Sequence, residues 1–106
     1  VSLNYRLGIF GFLSSPRLLL EERGPIGNYG LLDQMEALRW IKRNISAFGG
    51  DPERITLRGQ SAGAVSVHYL TILCKNESLF HGAILLSGTV ELLTPRTLKE
   101  DNFAHQ

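Results

Sequence analysis

Gly59-Gln60-Ser61-Ala62-Gly63 is the stretch of this chain whose residue types and spacing can do chemistry. A serine hydroxyl is a weak nucleophile. It needs a base to take its proton and donors to hold the oxyanion that forms when it attacks a carbonyl. In a G-x-S-x-G turn the serine sits on a sharp, strained bend from strand to helix, with its hydroxyl exposed at the top of a sheet and small neighbours around it. Gly59 and Gly63 are expected to meet that need, since neither carries a Cβ to clash where helix approaches strand. Ser61 is then the expected nucleophile of an acyl transfer, and the backbone N–H of Ala62 an expected oxyanion donor. The competing reading of the same residues is a glycine-bracketed turn in which Ser61 only caps a helix.

The elements around this turn must supply a strand before it and a helix after it. Arg54–Arg58 has the β-branched Ile55 and Thr56 of a short strand. Residues 62–73 are apolar nearly all round, which predicts a mostly buried helix. Upstream, apolar residues at Leu31, Met35, Leu38, Ile41, Ile45 and Phe48 recur at helical spacing, and Gly49-Gly50 with Asp51-Pro52 ends the pattern. Val1–Arg6 and Ala83–Ser87 read as further apolar strands, residues 14–30 as mostly loop with a turn of helix near Leu18–Glu22, and Thr94-Pro95 as a helix start. Helices alternating with short apolar strands predict an α/β fold with about three parallel strands and crossover helices. Three such strands leave two long edges unpaired, and both chain ends read as cut inside elements. The expectation is that residues 1–106 are part of one larger domain, truncated at both ends.

Composition narrows the alternatives. At 106 residues, with 43% hydrophobic and 20% charged residues, the chain has ordinary globular composition and room for at most one small domain. A net charge of +1, with the basic residues scattered, gives no footprint for nucleic acid or an anionic membrane. No apolar run reaches the ~18 residues of a membrane span, and neither a metal site nor a cofactor is expected. Oligomeric state has no signature in the sequence.

Other chemistry-bearing side chains read as structural. His68 lies seven residues after Ser61 on the expected helix, roughly 10 Å along it, too far to take the serine proton. His81 precedes a strand, and His105 follows the serine too soon for the histidine of this kind of site. Arg6 is expected to pair with an acid, Glu36 with Arg39 on a solvated helix face, and Trp40 to lie in the core. Cys74 reads as a small buried hydrophobe or the partner of a cysteine outside this chain. Ser87 is expected near Ser61, because neighbouring strands end together. Asn44-Ile-Ser and Asn76-Glu-Ser match the glycan acceptor pattern, and Asn76, in a polar loop, is the better placed.

Taken in order, Asn4-Tyr-Arg-Leu-Gly, Phe10-Gly-Phe-Leu, Gly27-Asn-Tyr-Gly-Leu-Leu-Asp-Gln, Ala37-Leu-Arg-Trp-Ile, Asn44-Ile, Phe48-Gly-Gly-Asp-Pro, Gly59-Gln-Ser-Ala-Gly, Leu79-Phe-His-Gly-Ala-Ile and Ser87-Gly-Thr closely resemble the type-B carboxylesterase family, which includes cholinesterases and insect carboxyl and juvenile-hormone esterases. The resemblance runs from residue 1 to about residue 89. It implies an α/β-hydrolase fold and cofactor-free hydrolysis of small carboxylic esters through an acyl-enzyme on Ser61, in a secreted or endoplasmic-reticulum- or membrane-associated protein that is a glycoprotein. It also implies that the remaining oxyanion donors lie upstream of residue 1, and the acid and histidine downstream of residue 106. Gln60 stands where many members have Glu, Arg58 where an apolar or small residue is usual, and Leu86 where Gln is usual. The family also contains non-catalytic adhesion or recognition modules, often without the serine, so the intact elbow favours catalysis. The segment alone is expected to be inactive, with two of three triad members outside it.

Overall fold

The structure is a computed structural model that describes residues 1–12 and 28–88. The expected helical turn near Leu18–Glu22, the Thr94-Pro95 helix start and His105 lie outside the described residues. The chain forms two compact units, divided after Gln34, and each is taken by itself.

In the first unit, residues 1–7 carry no strand. This corrects the expected Val1–Arg6 strand. An apolar run becomes a strand only when a neighbour accepts its backbone hydrogen bonds, and the described sheet pairs no strand with it. Gly8–Phe12 is instead a short helix, α1. The unit is organised around Arg6. Its backbone N–H donates to Asp33 Oδ2 at 2.9 Å, its Nε to both carboxylate oxygens at 3.2 and 2.9 Å, and its Nη2 to Oδ1 at 2.7 Å. The guanidinium carbon also lies 5.3 Å from the centroid of the Tyr29 ring, within range of a cation–π contact. This is the expected Arg6–acid pair in its bidentate form. A Cβ at Gly30 would come within 2.6 Å of the Arg6 carbonyl and the Phe12 ring, so the close approach here needs glycine.

The Arg6 side chain, followed by its backbone N–H, holds the Asp33 carboxyl down at about 2, from an ordinary 3.8. A depressed folded-state pKa contributes stability that is present above pH 3.8 and lost as pH falls through about 2. Asp33→Asn is therefore expected to lower the urea midpoint at pH 6 and to flatten its fall between about pH 4 and 2. Midpoints measured across that range check this, and an unchanged slope in the variant would remove the pair from any role in acid sensitivity.

Tyr29–Asn44 is the second helix, α2. It starts two residues earlier than the apolar stripe predicts. It gives way to a 3-10 turn at Ile45–Phe48, where Asn44 Nδ2 donates to the Trp40 carbonyl at 2.8 Å. Gly49, at φ 85°, closes the turn by donating back to Ile45 and Ser46. The stripe holds in its middle, where Leu38 is 1% exposed, and fails at its end, where Phe48 is 73% exposed. Trp40, expected in the core, is half exposed, its ring 6.2 Å from that of Phe48.

The second unit is built on a β-α-β sequence. Strand β1 (Thr56–Gln60) pairs in parallel with β2 (Gly82–Leu86), in a register running from Thr56↔Gly82 to Gln60↔Leu86. Helix α3 (Ala62–Leu73) connects them. Two strands, rather than about three, form among the described residues. The first lies two residues later than its composition predicts, because Ile55 is engaged by His81 ahead of the ladder: the Ile55 N–H donates to His81 Nδ1 at 3.1 Å and the His81 N–H to the Ile55 carbonyl at 2.7 Å. Leu38, Leu70, Cys74 and Leu79 form the buried cluster, with Met35, Leu57 and Phe80 packed on it. Full burial of a leucine such as Leu38 contributes about 1.5–3 kcal/mol. Ala64, Val65, Val67 and Leu70 bury one side of α3, while Ile72 and Leu73 in its last turn are exposed, so the helix is less buried than its composition predicts. Arg39 reaches Glu36 at 3.6 Å, as expected, but its bidentate partner is Glu77, at 2.9 and 2.8 Å.

Candidate functional site

Where β1 ends and α3 begins, Ser61 has φ 55° and ψ −117°, a region that non-glycine residues occupy only when their surroundings hold them there. The surroundings do so through both backbone groups. The Ser61 N–H donates to the Leu86 carbonyl at 2.8 Å, and the Ser61 carbonyl accepts from Val65 at 3.1 Å as the first acceptor of α3. The side chain makes no cap hydrogen bond to the helix, and the residue is exposed. Ser61 thus stands at the N-cap position with its backbone clamped and without the side-chain cap that a serine there commonly makes. Ala62 opens α3, so its N–H is among those at the helix N-terminus without an intrahelical partner. The positive end of the dipole there contributes about 0.3–1 kcal/mol toward a developing anion.

The two elbow glycines are unequal. A Cβ at Gly59 would run into the Gly63 carbonyl and come within 2.7 Å of the Ala64 nitrogen, whereas a Cβ at Gly63 would meet nothing within 4 Å. The expectation that both must be small for the same reason is corrected: only Gly59 faces the close approach of helix to strand. Gln60 is exposed at the end of β1. Arg58 is also exposed among the described residues.

Ser87, expected near Ser61, follows the last pair of the ladder, Gln60↔Leu86, and comes directly after the Leu86 carbonyl that accepts from the Ser61 N–H. It too has a left-handed backbone, φ 55°. The following residue was not singled out by its type. A Cβ on Gly88 would strike the Ser61 carbonyl oxygen and lie 3.1 Å from the Ala64 Cβ. Its place in the Ser87-Gly-Thr motif was the only signal that could have found it.

Neither described histidine is placed to serve Ser61. His68 lies on α3 seven residues along, and its Nδ1 is buried without a partner. His81 sits at the opposite end of β2, six residues before Ser87, about 20 Å at strand rise. Its Nδ1 accepts from Ile55, so the proton of the neutral ring is on Nε2, 3.7 Å from Glu53. A pocket of about 480 Å³ at that far end is lined by Glu53, Cys74, Phe80 and His81 among others, and does not include Ser61. Burial pushes the Cys74 thiol up, and the residue packs in the core as a small hydrophobe, with no disulfide partner among the described residues. No cluster of three or more His, Cys, Asp or Glu able to hold a metal occurs among the described residues. Asn76 is exposed in a turn, while Asn44 has its amide bonded within α2.

A strained serine between a parallel strand and a helix is the local geometry that the α/β-hydrolase architecture builds at a strand-to-helix turn. The chain belongs to the carboxylesterase family, whose sequence model matches residues 1–104. Neuroligin-2 of Mus musculus is 54% identical over 89 residues, covering 84% of this chain and 10% of that protein. Juvenile hormone esterase of Heliothis virescens is 51% identical over 89 residues, covering 84% of this chain and 15% of that protein. The crystal structure of juvenile hormone esterase from Manduca sexta, with OTFP covalently attached, superposes with a TM-score of 0.71 at 46% identity, covering 82% of this chain and 16% of that one. This chain therefore spans a small part of the lengths of these relatives.

Proposed function

We propose that the whole protein is a serine carboxylic-ester hydrolase and that Ser61 is its nucleophile. The observation that carries this reading is the backbone of Ser61, held at φ 55° between β1 and α3 with its side chain spent on no cap. Ser61 Oγ attacks the ester carbonyl carbon and its proton passes to a base. The carbonyl oxygen becomes an oxyanion facing the Ala62 N–H, a donor worth about 3 kcal/mol in the transition state. The alcohol leaves with the proton, and water then releases the acid from the acyl-enzyme by the same steps. The base is supplied by neither His68 nor His81. Gln60 leaves the turn uncharged, so the elbow itself adds no anion to attract a cationic substrate.

A second reading, a recognition module of the same fold without turnover, is kept by the neuroligin matches, which at 54% identity are as close as the 51% of an esterase. The two readings separate on a fluorophosphonate, which phosphonylates only an activated serine. The whole protein should label, and Ser61→Ala should not. A folded whole protein that fails to label would sink the hydrolase reading in favour of recognition.

A further inference from the structure

Ser61 and Ala62 share one planar peptide, so the Ser61 C=O and the Ala62 N–H point in opposite directions from the same rigid plate. Anything that fixes the oxygen fixes the donor. At the oxygen, the Val65 N–H supplies an attractive contact at 3.1 Å. On another side the chain leaving β2 passes so close that a Cβ on Gly88 would collide with the Ser61 oxygen and lie 3.1 Å from the Ser61 carbonyl carbon. The same departing chain anchors the Ser61 N–H through the Leu86 carbonyl at 2.8 Å. The end of β2 therefore grips the plate at its nitrogen side and closes over its oxygen. The second contact exists only because residue 88 has no side chain. Gly88 is not among the positive-φ glycines, so alanine meets no left-handed backbone there; what it meets is the plate.

We infer that Gly88 is a positioning residue for ester cleavage: its bare Cα lets β2 close against the Ser61 carbonyl and so sets the tilt of the Ser61–Ala62 peptide, which aims the Ala62 N–H at the oxyanion. This rests on Ser61 being the nucleophile. A Cβ at position 88 pushes the oxygen aside, tilts the plate and swings the N–H off the position the oxyanion occupies. The Leu86 and Val65 hydrogen bonds resist this shift, but the Cβ cannot be housed against the Ser61 carbonyl without it. The ester still binds, since the contact acts on the tetrahedral state and not on the ground state.

The test uses the whole protein, with turnover of a p-nitrophenyl ester and affinity for a trifluoromethyl ketone as readouts. In the ketone reaction a bond forms from Ser61 Oγ to the carbonyl carbon, the C=O pair moves to oxygen, and the serine proton passes to the base. The adduct thus carries the oxyanion without a leaving group. Gly88→Ala is expected to lower kcat on the order of 10²-fold with KM unchanged, and to weaken the ketone by a similar factor, both measured well below a melting midpoint that the contact with a backbone carbonyl lowers. Gly82→Ala is the control, since its Cβ would meet Thr56 at 3.2 Å at the other end of β2, and it should retain kcat. Should Gly88→Ala not fold, Ala64→Gly with Gly88→Ala, which vacates the space beside Ala64, is measured against Ala64→Gly alone and should show the same loss. Retained kcat and ketone affinity, a change in KM alone, equal losses in Gly82→Ala, or a double variant that also fails to fold would overturn the inference. Ser61→Ala keeps the two claims apart: if it abolishes turnover while Gly88→Ala does not affect it, the nucleophile stands and the positioning role falls. A whole protein without turnover overturns both.

Discussion

Ser61→Gly is expected to make the whole protein harder to unfold while removing the ester turnover proposed for it. The two effects have separate causes. Turnover falls by on the order of 10⁴- to 10⁶-fold, because no acyl-enzyme forms and only the oxyanion donors and substrate binding remain. Stability rises because φ 55° with ψ −117° strains any residue with a Cβ and does not strain glycine. A gain of about 1 kcal/mol is the expected scale, reduced by the extra freedom glycine gives the unfolded chain. Ser61→Ala separates the two effects, since it loses the hydroxyl and keeps the Cβ: turnover should fall as far, with little change in the urea midpoint. Equal midpoints for the glycine and alanine variants would mean that the backbone at the elbow stores no strain, whatever the fate of turnover.

Gly59→Ala is expected to be the most damaging single methyl addition in β1. The obstacle is the Gly63 carbonyl and the Ala64 nitrogen, which are backbone atoms in the first turn of α3 and cannot rotate out of the way. Relief requires moving α3 off the strand, which pulls Ala64 and Val65 out of their buried positions. Overpacking typically costs about 1–3 kcal/mol, and the upper end is expected where no side chain can yield. Gly63→Ala is the matched comparison. It adds the same methyl group four residues on, into open space among the described residues, and replaces glycine within a helix, where alanine is better by about 1 kcal/mol. The thermal midpoint should drop sharply for the first variant and hold or rise for the second. If the two midpoints move together, the asymmetry of the elbow is wrong.

Much of the turn itself was legible in the residues. Strand, strained serine and helix follow one another within the span of a local signal, and α3 occupies the residues 62–73 that its apolar run marks out. Gly49-Gly50 ended the preceding helical pattern because a left-handed cap there needs glycine, and Gly49 has φ 85°. The Arg6 pair was legible as a need, since a charge in an apolar stretch requires an acid, but the partner 27 residues away was not named by that need. Apolar periodicity likewise states which side chains favour burial and not what will cover them. That is why the Trp40 and Phe48 rings are exposed among the described residues, and why the apolar Val1–Arg6 forms no strand there.

By itself, then, the sequence determined the strand–turn–helix around Ser61 and the family, because each is written in short-range residue types and their order. Only the tertiary structure decided which elbow glycine is sterically required and what holds Ser61 in place. Leu86 and Gly88 reach it through the register of two parallel strands separated by a whole helix. Contacts of that kind depend on how the backbone closes in space, and for the Leu86 carbonyl and the bare Gly88 Cα no side chain exists to announce them.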